Sequence, residues 1–370
     1  MFRRQRTPLS HLRPQRIALI KPSALGDIAH SLPVLNALRM LYPTAMISWV
    51  ANRAYLSILE QHQSLDEVIP FDRTALRGGI GKTVSYSYNF LKDLRRRRFD
   101  LVVDLQGLAR TGLMCLATAA PRRVGLGTAR EGSKLSYTDL IPTPNADRQH
   151  AIDRYWLVIE ALGGANLPKK FDLPVDPTAQ EWVGQQLADC PRPWLMFGVG
   201  ARWLTKRWPP AHFAHLARAA QQQFGGTAIF VGAADEAEIA QTVRNQLAGP
   251  ARNFCGGSNL PQLVALLAAA DVMVSNDTGP LHLAVALGRP CVAPYLCTSA
   301  TKHGPYGQTG GVETNVWCKS SYIRQCDRLE CMTELTPDRL QPLLFAILSS
   351  WKQNSLSVLP LPVLPTVGGT

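Results

Sequence analysis

The chain has 370 residues, 46% hydrophobic and 18% charged, which excludes a disordered protein and suits two domains of ordinary size. No apolar run reaches the roughly 18 residues that span a bilayer, and the basic opening MFRRQRTPLSHLRPQR lacks the apolar stretch of a secretory leader, so a cytoplasmic location is expected. The net charge of +12 favours an anionic partner: a phosphorylated small molecule, an acidic membrane surface or a nucleic acid.

A basic N-terminal extension (1–15) precedes RIALIK (16–21), which reads as a buried strand. KPSALGDIAHSLP then opens a helix from about 27 to 41, with Asp27 directly behind Gly26 at its mouth. As a sequence feature, that carboxylate is equally a helix cap and a candidate base. MISWVA (46–51) and DEVIPF (66–71) read as strands. A helix ending in LKDLRRRR (91–98) follows, and then the strand FDLVVDLQG (99–107). The run RRRR is read as cations complementing a helix C-terminus. Strands alternating with helices predict parallel βαβ units, here a first Rossmann-like domain over 16–175. Past a helix near 150–163, the polar stretch GGANLPKKFDLPVDP reads as a linker. The pattern then restarts over 186–335 with PWLMFGVG (193–200), TAIFVGA (227–233), ADVMVSN (270–276) and RPCVAPY (289–295). A C-terminal helix (336–352) and a loose Pro-rich tail (353–370) complete the reading. The expected architecture is α/β: two doubly wound parallel-sheet domains facing a central cleft, with ligands beyond the carboxyl ends of the strands.

Three glycine-rich stretches do not qualify as nucleotide motifs. GGIGKT (78–83) has Leu76 where a phosphate-binding loop needs glycine, and GVGARW (198–203) and GLGTAR (125–130) lack the third glycine of a dinucleotide fingerprint. SNDTGPLHLAVALG (275–288) is more telling. A strand ends at Ser275, and Asp277 or Thr278 opens a helix with Pro280 in its first turn. The amides of Thr278, Gly279 and Leu281, backed by the helix dipole, make an anion site, with His282 inside the same turn. The loop after residue 200 brings Thr205, Lys206 and Arg207 to a strand end, where an ammonium and a guanidinium suit a diphosphate. Glu236 and Glu238 follow another strand, where a carboxylate either accepts hydrogen bonds from ribose hydroxyls or caps the helix start. Cys318, Cys326 and Cys331 do not match the spacing of a zinc ribbon, so reduced thiols are expected. An Asp-x-Asp pair is absent from the sequence, and neither metal nor cofactor is expected.

The ordered set KPSALGDIAHSLP, DLQG, REGSKLSY, HAIDRY, TKRWP, SNDTGPLHLAVALG and CMTELTPDRL resembles glycosyltransferase family 9, the ADP-heptose:lipopolysaccharide heptosyltransferase family. The resemblance implies a GT-B fold with an N-terminal acceptor domain, a C-terminal nucleotide-sugar domain and metal-free inverting transfer. It implies that Asp27 is the general base and that Lys206 contacts the donor phosphate. Thr205, Glu236, Asp277, Thr278, Gly279, Pro280, Leu281 and His282 then belong to the donor site, and Ser23, Gly26 and Arg130 to the acceptor side. The implied partners are a nucleotide-diphosphate sugar and an anionic glycan or glycolipid. Peripheral contact with the inner membrane is expected, and nucleic acid is not. After the strand at 290–295 the chain departs from the family's Gly-Pro-Thr turn and reads YLCTSATKHGPYG. A carboxylate at a helix start is expected to have a low pKa and to be a weak base, with closure and desolvation as the means of raising it.

Overall fold

A computed structural model describes residues 6–357. The first half contains β1 (Arg16–Ile20), α1 (Leu25–Leu41), β2 (Met46–Asn52), β3 (Glu67–Phe71), α2 (Ile80–Arg96), β4 (Leu101–Asp104), α3 (Ala109–Thr118), β5 (Arg122–Leu126), β6 (Asp139–Ile141) and α4 (Ala151–Ala161). Helix α5 (Pro177–Gln186) follows the polar stretch. The second half then runs β7 (Trp194–Gly198), α6 (Pro210–Phe224), β8 (Thr227–Phe230), α7 (Ala237–Arg244), β9 (Ala251–Asn253), α8 (Leu260–Ala269), β10 (Val272–Ser275), α9 (Gly279–Ala286) and β11 (Cys291–Tyr295). It ends with α10 (Ala300–His303), β12 (Gly311–Glu313), α11 (Glu330–Glu334) and α12 (Gln341–Ser357).

Each half forms a six-stranded sheet, ordered β3-β2-β1-β4-β5-β6 and β12-β11-β10-β7-β8-β9, and the pairs are parallel. The two orders are the same when counted within each half. In both, the chain reverses direction of build at one point, between β1 and β4 and between β7 and β10, and such switch points open a crevice beyond the strand ends. The central strands are almost wholly buried because helices cover both faces, which is why they read as unbroken apolar runs. The four strands not anticipated from sequence, β5, β6, β9 and β12, lie at or beside sheet edges, three to five residues long and carrying Arg, Asp or Glu.

Helix α1 is buried along most of its circumference. It packs on α4 of its own half and on α9 of the other, so its outward face is an interdomain face. One apolar cluster runs from Ile17 and Leu35 through Trp156 to Leu266 and Leu281, joining the two halves. The expected tail starts later than sequence suggested. Residues 353–357 continue α12, with Ser355 Oγ donating to Trp351 O at 2.9 Å, because no proline intervenes before position 360. Positions 1–5 and 358–370 lie outside the described residues. Leu344 and Leu348 of α12 bury into the second half's core, beside Phe213.

Candidate active site

Beyond β1, at the first switch point, the chain delivers Lys21 and then the first turn of α1. Lys21 is 2% exposed. Its ammonium donates to Leu105 O across the switch point (3.3 Å) and to Tyr155 Oη (2.9 Å), and it lies 3.5 Å from Asp27 Oδ1. Tyr155, in the HAIDRY stretch on α4, donates in turn to Asp27 Oδ1 at 3.1 Å. The other carboxylate oxygen accepts the Ala24 N–H at 3.0 Å. Asp27 therefore caps α1 and faces the cleft at once. Burial alone would raise its pKa, but the Lys21 charge and the hydrogen bonds from Ala24 and Tyr155 outweigh it and hold the carboxyl below its ordinary value. The low pKa expected of a helix-start carboxylate is what the site gives, and the buried Lys21 cation, which was not foreseen, deepens it.

Across the cleft, the chain leaves β7 into a loop pinned by Asn276. The buried amide of Asn276 donates to Val199 O (2.8 Å) and accepts from Trp208 N (3.0 Å), fixing both ends of the segment that carries Lys206. Lys206 Nζ donates to Asp277 Oδ2 at 2.6 Å and to Asp277 O at 3.1 Å. Asp277 Oδ1 accepts from His282 Nε2 at 3.2 Å. Burial opposes the charge on Asp277, yet the His282 hydrogen bond and Lys206 overcome it and hold the carboxyl far below its usual range. Thr278 is the N-cap of α9 but makes no side-chain bond to the helix; its hydroxyl turns to Asn276 O at 3.3 Å. The first-turn amides, which lack intrahelical partners, are thus left for an anion. Glu236 reaches the same cleft, its Oε2 accepting the Ala233 N–H at 2.9 Å. A Cβ at Gly200 or Gly232 would collide with that carboxylate, so both glycines make room for it. Burial raises the Glu236 pKa.

The halves meet directly at these two helix starts. A Cβ on Gly26 would strike the His282 ring, and one on Gly279 would lie 2.8 Å from Leu25 Cδ2. Both glycines are therefore required by the approach of α1 to α9. Both also line the cleft, on the acceptor side and the donor side where they were expected. His30 crosses the junction, its Nε2 3.1 Å from His282 Nδ1. Since His282 Nε2–H serves Asp277, its Nδ1 accepts and His30 donates, a tautomer assignment set by the hydrogen bonds. Burial and the neighbouring His282, His150 and His303 hold His30 neutral, its pKa well below the ordinary value. Burial likewise lowers His150 and His303 to about 4.

The resulting cleft has a volume of about 760 Å³ and is lined by Asp27, Lys206, Glu236, Asp277, Thr278 and His282, with Gly26, Gly279 and Pro280. Three expected residues, Thr205, Ser23 and Arg130, fall elsewhere, and Leu281 contributes the amide it was expected to. Thr205 is buried, its hydroxyl spent on Ile323 O at 2.7 Å, so it anchors the Lys206 turn. The Leu281 side chain is in the core, leaving only its amide to the site. Ser23 lines an adjoining depression with Arg73 and Arg110. Arg130 is exposed and lines neither. Sequence reasoning missed Lys21, His30, Tyr155, Arg202, His303 and Tyr322. It also missed the wall formed by Asn259, Leu260 and Leu263. Arg207 braces the loop through Ala201 O rather than facing the cleft. Cys318, Cys326 and Cys331 are free thiols.

A family model described as glycosyltransferase family 9 (heptosyltransferase) matches residues 87–332. The lipopolysaccharide core heptosyltransferase OpsX of Haemophilus influenzae is 25% identical over 82% of this chain and 86% of its own length. Lipopolysaccharide heptosyltransferase 1 of Pseudomonas aeruginosa is 29% identical over 80% of this chain and 82% of its own. Among solved structures, the Escherichia coli ADP-heptose lps heptosyltransferase II superposes with a TM-score of 0.71, at 25% identity, over 91% of this chain and 99% of its own.

Proposed function

The chain belongs to glycosyltransferase family 9, and we propose that it moves a heptose from ADP-heptose to a lipopolysaccharide-type acceptor with inversion of configuration. One observation carries the reading: a carboxylate from one half, Asp27, and an anion-binding helix start from the other, α9, line the same cleft. The donor diphosphate sits at the first-turn amides of α9 and draws the Lys206 ammonium from Asp277. The ribose meets Glu236, and the base lies along Leu260 and Leu263. An acceptor hydroxyl attacks the anomeric carbon opposite the diphosphate. Its new C–O bond forms as the bond to the β-phosphate oxygen breaks, and single displacement inverts the centre. The hydroxyl proton passes to Asp27. A carboxylate of lowered pKa is a weak base, so this transfer comes late, once the attacking oxygen has become acidic. Negative charge growing on the departing ADP is met by Lys206 and the helix start, already oriented in a desolvated cleft. The acceptor is a glycolipid of the inner membrane, met peripherally. Among the described residues no helix is long and apolar enough to cross a membrane.

Thermal unfolding with a panel of nucleotides tests the donor, because a ligand of the folded state raises its stability. ADP and ADP-heptose are expected to protect, and transfer to a lipopolysaccharide acceptor is expected to survive excess EDTA. Protection by UDP in place of ADP would move the chain to another nucleotide sugar. Turnover abolished by chelation and restored by magnesium would overturn the leaving-group mechanism.

A further inference from the structure

Helix α2 has two apolar faces, and only one of them is used. Phe90 and Leu94 face the core. Ile80, Val84 and Tyr88 recur every fourth residue, so they share a second stripe, and they are 87%, 61% and 62% exposed. A surface helix of a globular protein carries polar residues there. Lys92 extends the row, its ammonium 5.5 Å from the centre of the Tyr88 ring. The apolar surface continues onto the neighbouring elements. Helix α2 packs on α3, where Leu113 and Leu116 are exposed, and α3 packs on the turn Ser133–Ser136, where Leu135 is 90% exposed.

Cations surround these residues. Arg77, Lys82, Arg95, Arg96, Arg110 and Lys134 are exposed on the same three elements and their flanks. The nearby carboxylates are engaged: Asp93 pairs with Arg97, and Glu131 accepts the Ala109 N–H at 3.1 Å. The depression lined by Ser23, Arg73 and Arg110 joins α3 to the segment that leads into α1, and Ala24, next to Ser23, lines the cleft.

We propose that the α2–α3 face is a membrane-docking surface for an anionic leaflet, seating Ile80, Val84, Tyr88 and Leu135 at the acyl boundary and the flanking cations among the headgroups. Exposed apolar side chains ringed by lysine and arginine bind such interfaces by apolar burial and by attraction to acidic lipid together. A second copy of the chain is a poor occupant, because a symmetric contact would set like-charged faces against one another. The inference deepens the reading of a glycolipid acceptor by assigning the surface that meets its bilayer. Vesicles free of acceptor test docking alone, so its failure would leave the transferase reading standing.

The full chain is floated with phosphatidylcholine vesicles, plain or mixed with phosphatidylglycerol. Binding is expected to the mixed vesicles and to weaken with salt. Ile80→Asp with Val84→Asp, both at exposed positions, is expected to keep the unfolding temperature and lower binding roughly tenfold or more. Lys82→Gln with Lys92→Gln is expected to cost about fivefold per charge on mixed vesicles and nothing on plain ones. Transfer to a water-soluble acceptor fragment stays unchanged in both variants. No binding to mixed vesicles at low salt, or binding indifferent to both variants, overturns the proposal. So does self-association in sedimentation velocity that Ile80→Asp with Val84→Asp abolishes, which would make the face a contact between copies.

Discussion

Lys206→Met separates two duties of one ammonium, the pairing with Asp277 that the structure shows and the diphosphate contact proposed for it. Without donor, Lys206 neutralises Asp277, which is 5% exposed and 2.6 Å away. Removing one partner of a buried pair costs about 3–5 kcal/mol because the other charge stays buried. Here His282 still donates to Asp277, and Lys206 is itself a fifth exposed, so the cost falls lower, at about 2–3 kcal/mol. For a domain of this size that is a drop in melting temperature of about 4–12 °C. In the proposed donor complex the same ammonium serves the diphosphate, and its loss is expected to weaken ADP binding by about 1.5–3 kcal/mol, roughly 10- to 150-fold. Adding Asp277→Asn distinguishes the two. The double variant removes both charges and is expected to regain most of the thermal stability while ADP affinity stays low. Scanning calorimetry and ADP titration calorimetry read the two effects separately. Stability lost with ADP affinity intact would leave Lys206 a structural counter-ion only, and recovery of affinity in the double variant would refute the diphosphate contact.

Asp27→Asn is expected to lower kcat about 10²–10⁴-fold with ADP affinity unchanged; near-normal turnover would leave Asp27 as a helix cap alone. Gly26→Ala sets a methyl against the His282 ring and is expected to cost about 1–3 kcal/mol of stability in thermal melts, with kcat falling as α1 and α9 are forced apart. Stability should also rise with pH between about 4 and 6.5. His150 and His303 are lowered to about 4 when folded, so across that window the unfolded chain binds more protons. Each contributes about 3 kcal/mol at most, full above the unfolded value and lost as pH falls through the window. Melts from pH 4.5 to 7 check the sign, and a flat profile would contradict neutral burial of these rings.

The central strands were legible because burial on both faces leaves runs such as RIALI and VMVS with no polar interruption. The edge strands were not, since RRVGL and GVE carry charge at or beside the sheet edge and are too short to show a period. Asp27, Lys206 and Asp277 could be picked out because each stands just past a strand, where local sequence announces a turn or a helix start. Their partners could not. Tyr155 reaches Asp27 across 128 positions, and His30 reaches His282 across 252. Lys21 did leave a signal: a cation ending an apolar strand must either surface or find a carboxylate. Thr205 was misplaced by its neighbour. Adjacent side chains in a tight turn point to opposite sides, so beside Lys206 a hydroxyl faces inward.

The cleft proposed for a diphosphate holds two aspartates, and the pairing of its charges accounts for that. Lys21 with Asp27 and Lys206 with Asp277 cancel as pairs. What remains is the Glu236 carboxylate on one wall and the positive ends of two helix dipoles, since α1 and α9 both begin at the cleft and meet through their first turns. Arg202 adds a full charge to the lining. In the proposed complex a phosphate at α9 competes with Asp277 for Lys206, and the exchange trades one anionic partner for another instead of stripping a cation bare. Asp277 is not abandoned in the exchange, because His282 remains bonded to its other oxygen and His30 fixes the His282 tautomer from across the junction. The imidazole pair thus holds the carboxylate in place as the ammonium turns to the departing diphosphate. One of its two rings belongs to the half that carries Asp27, so the donor site is complete only where the halves are in contact.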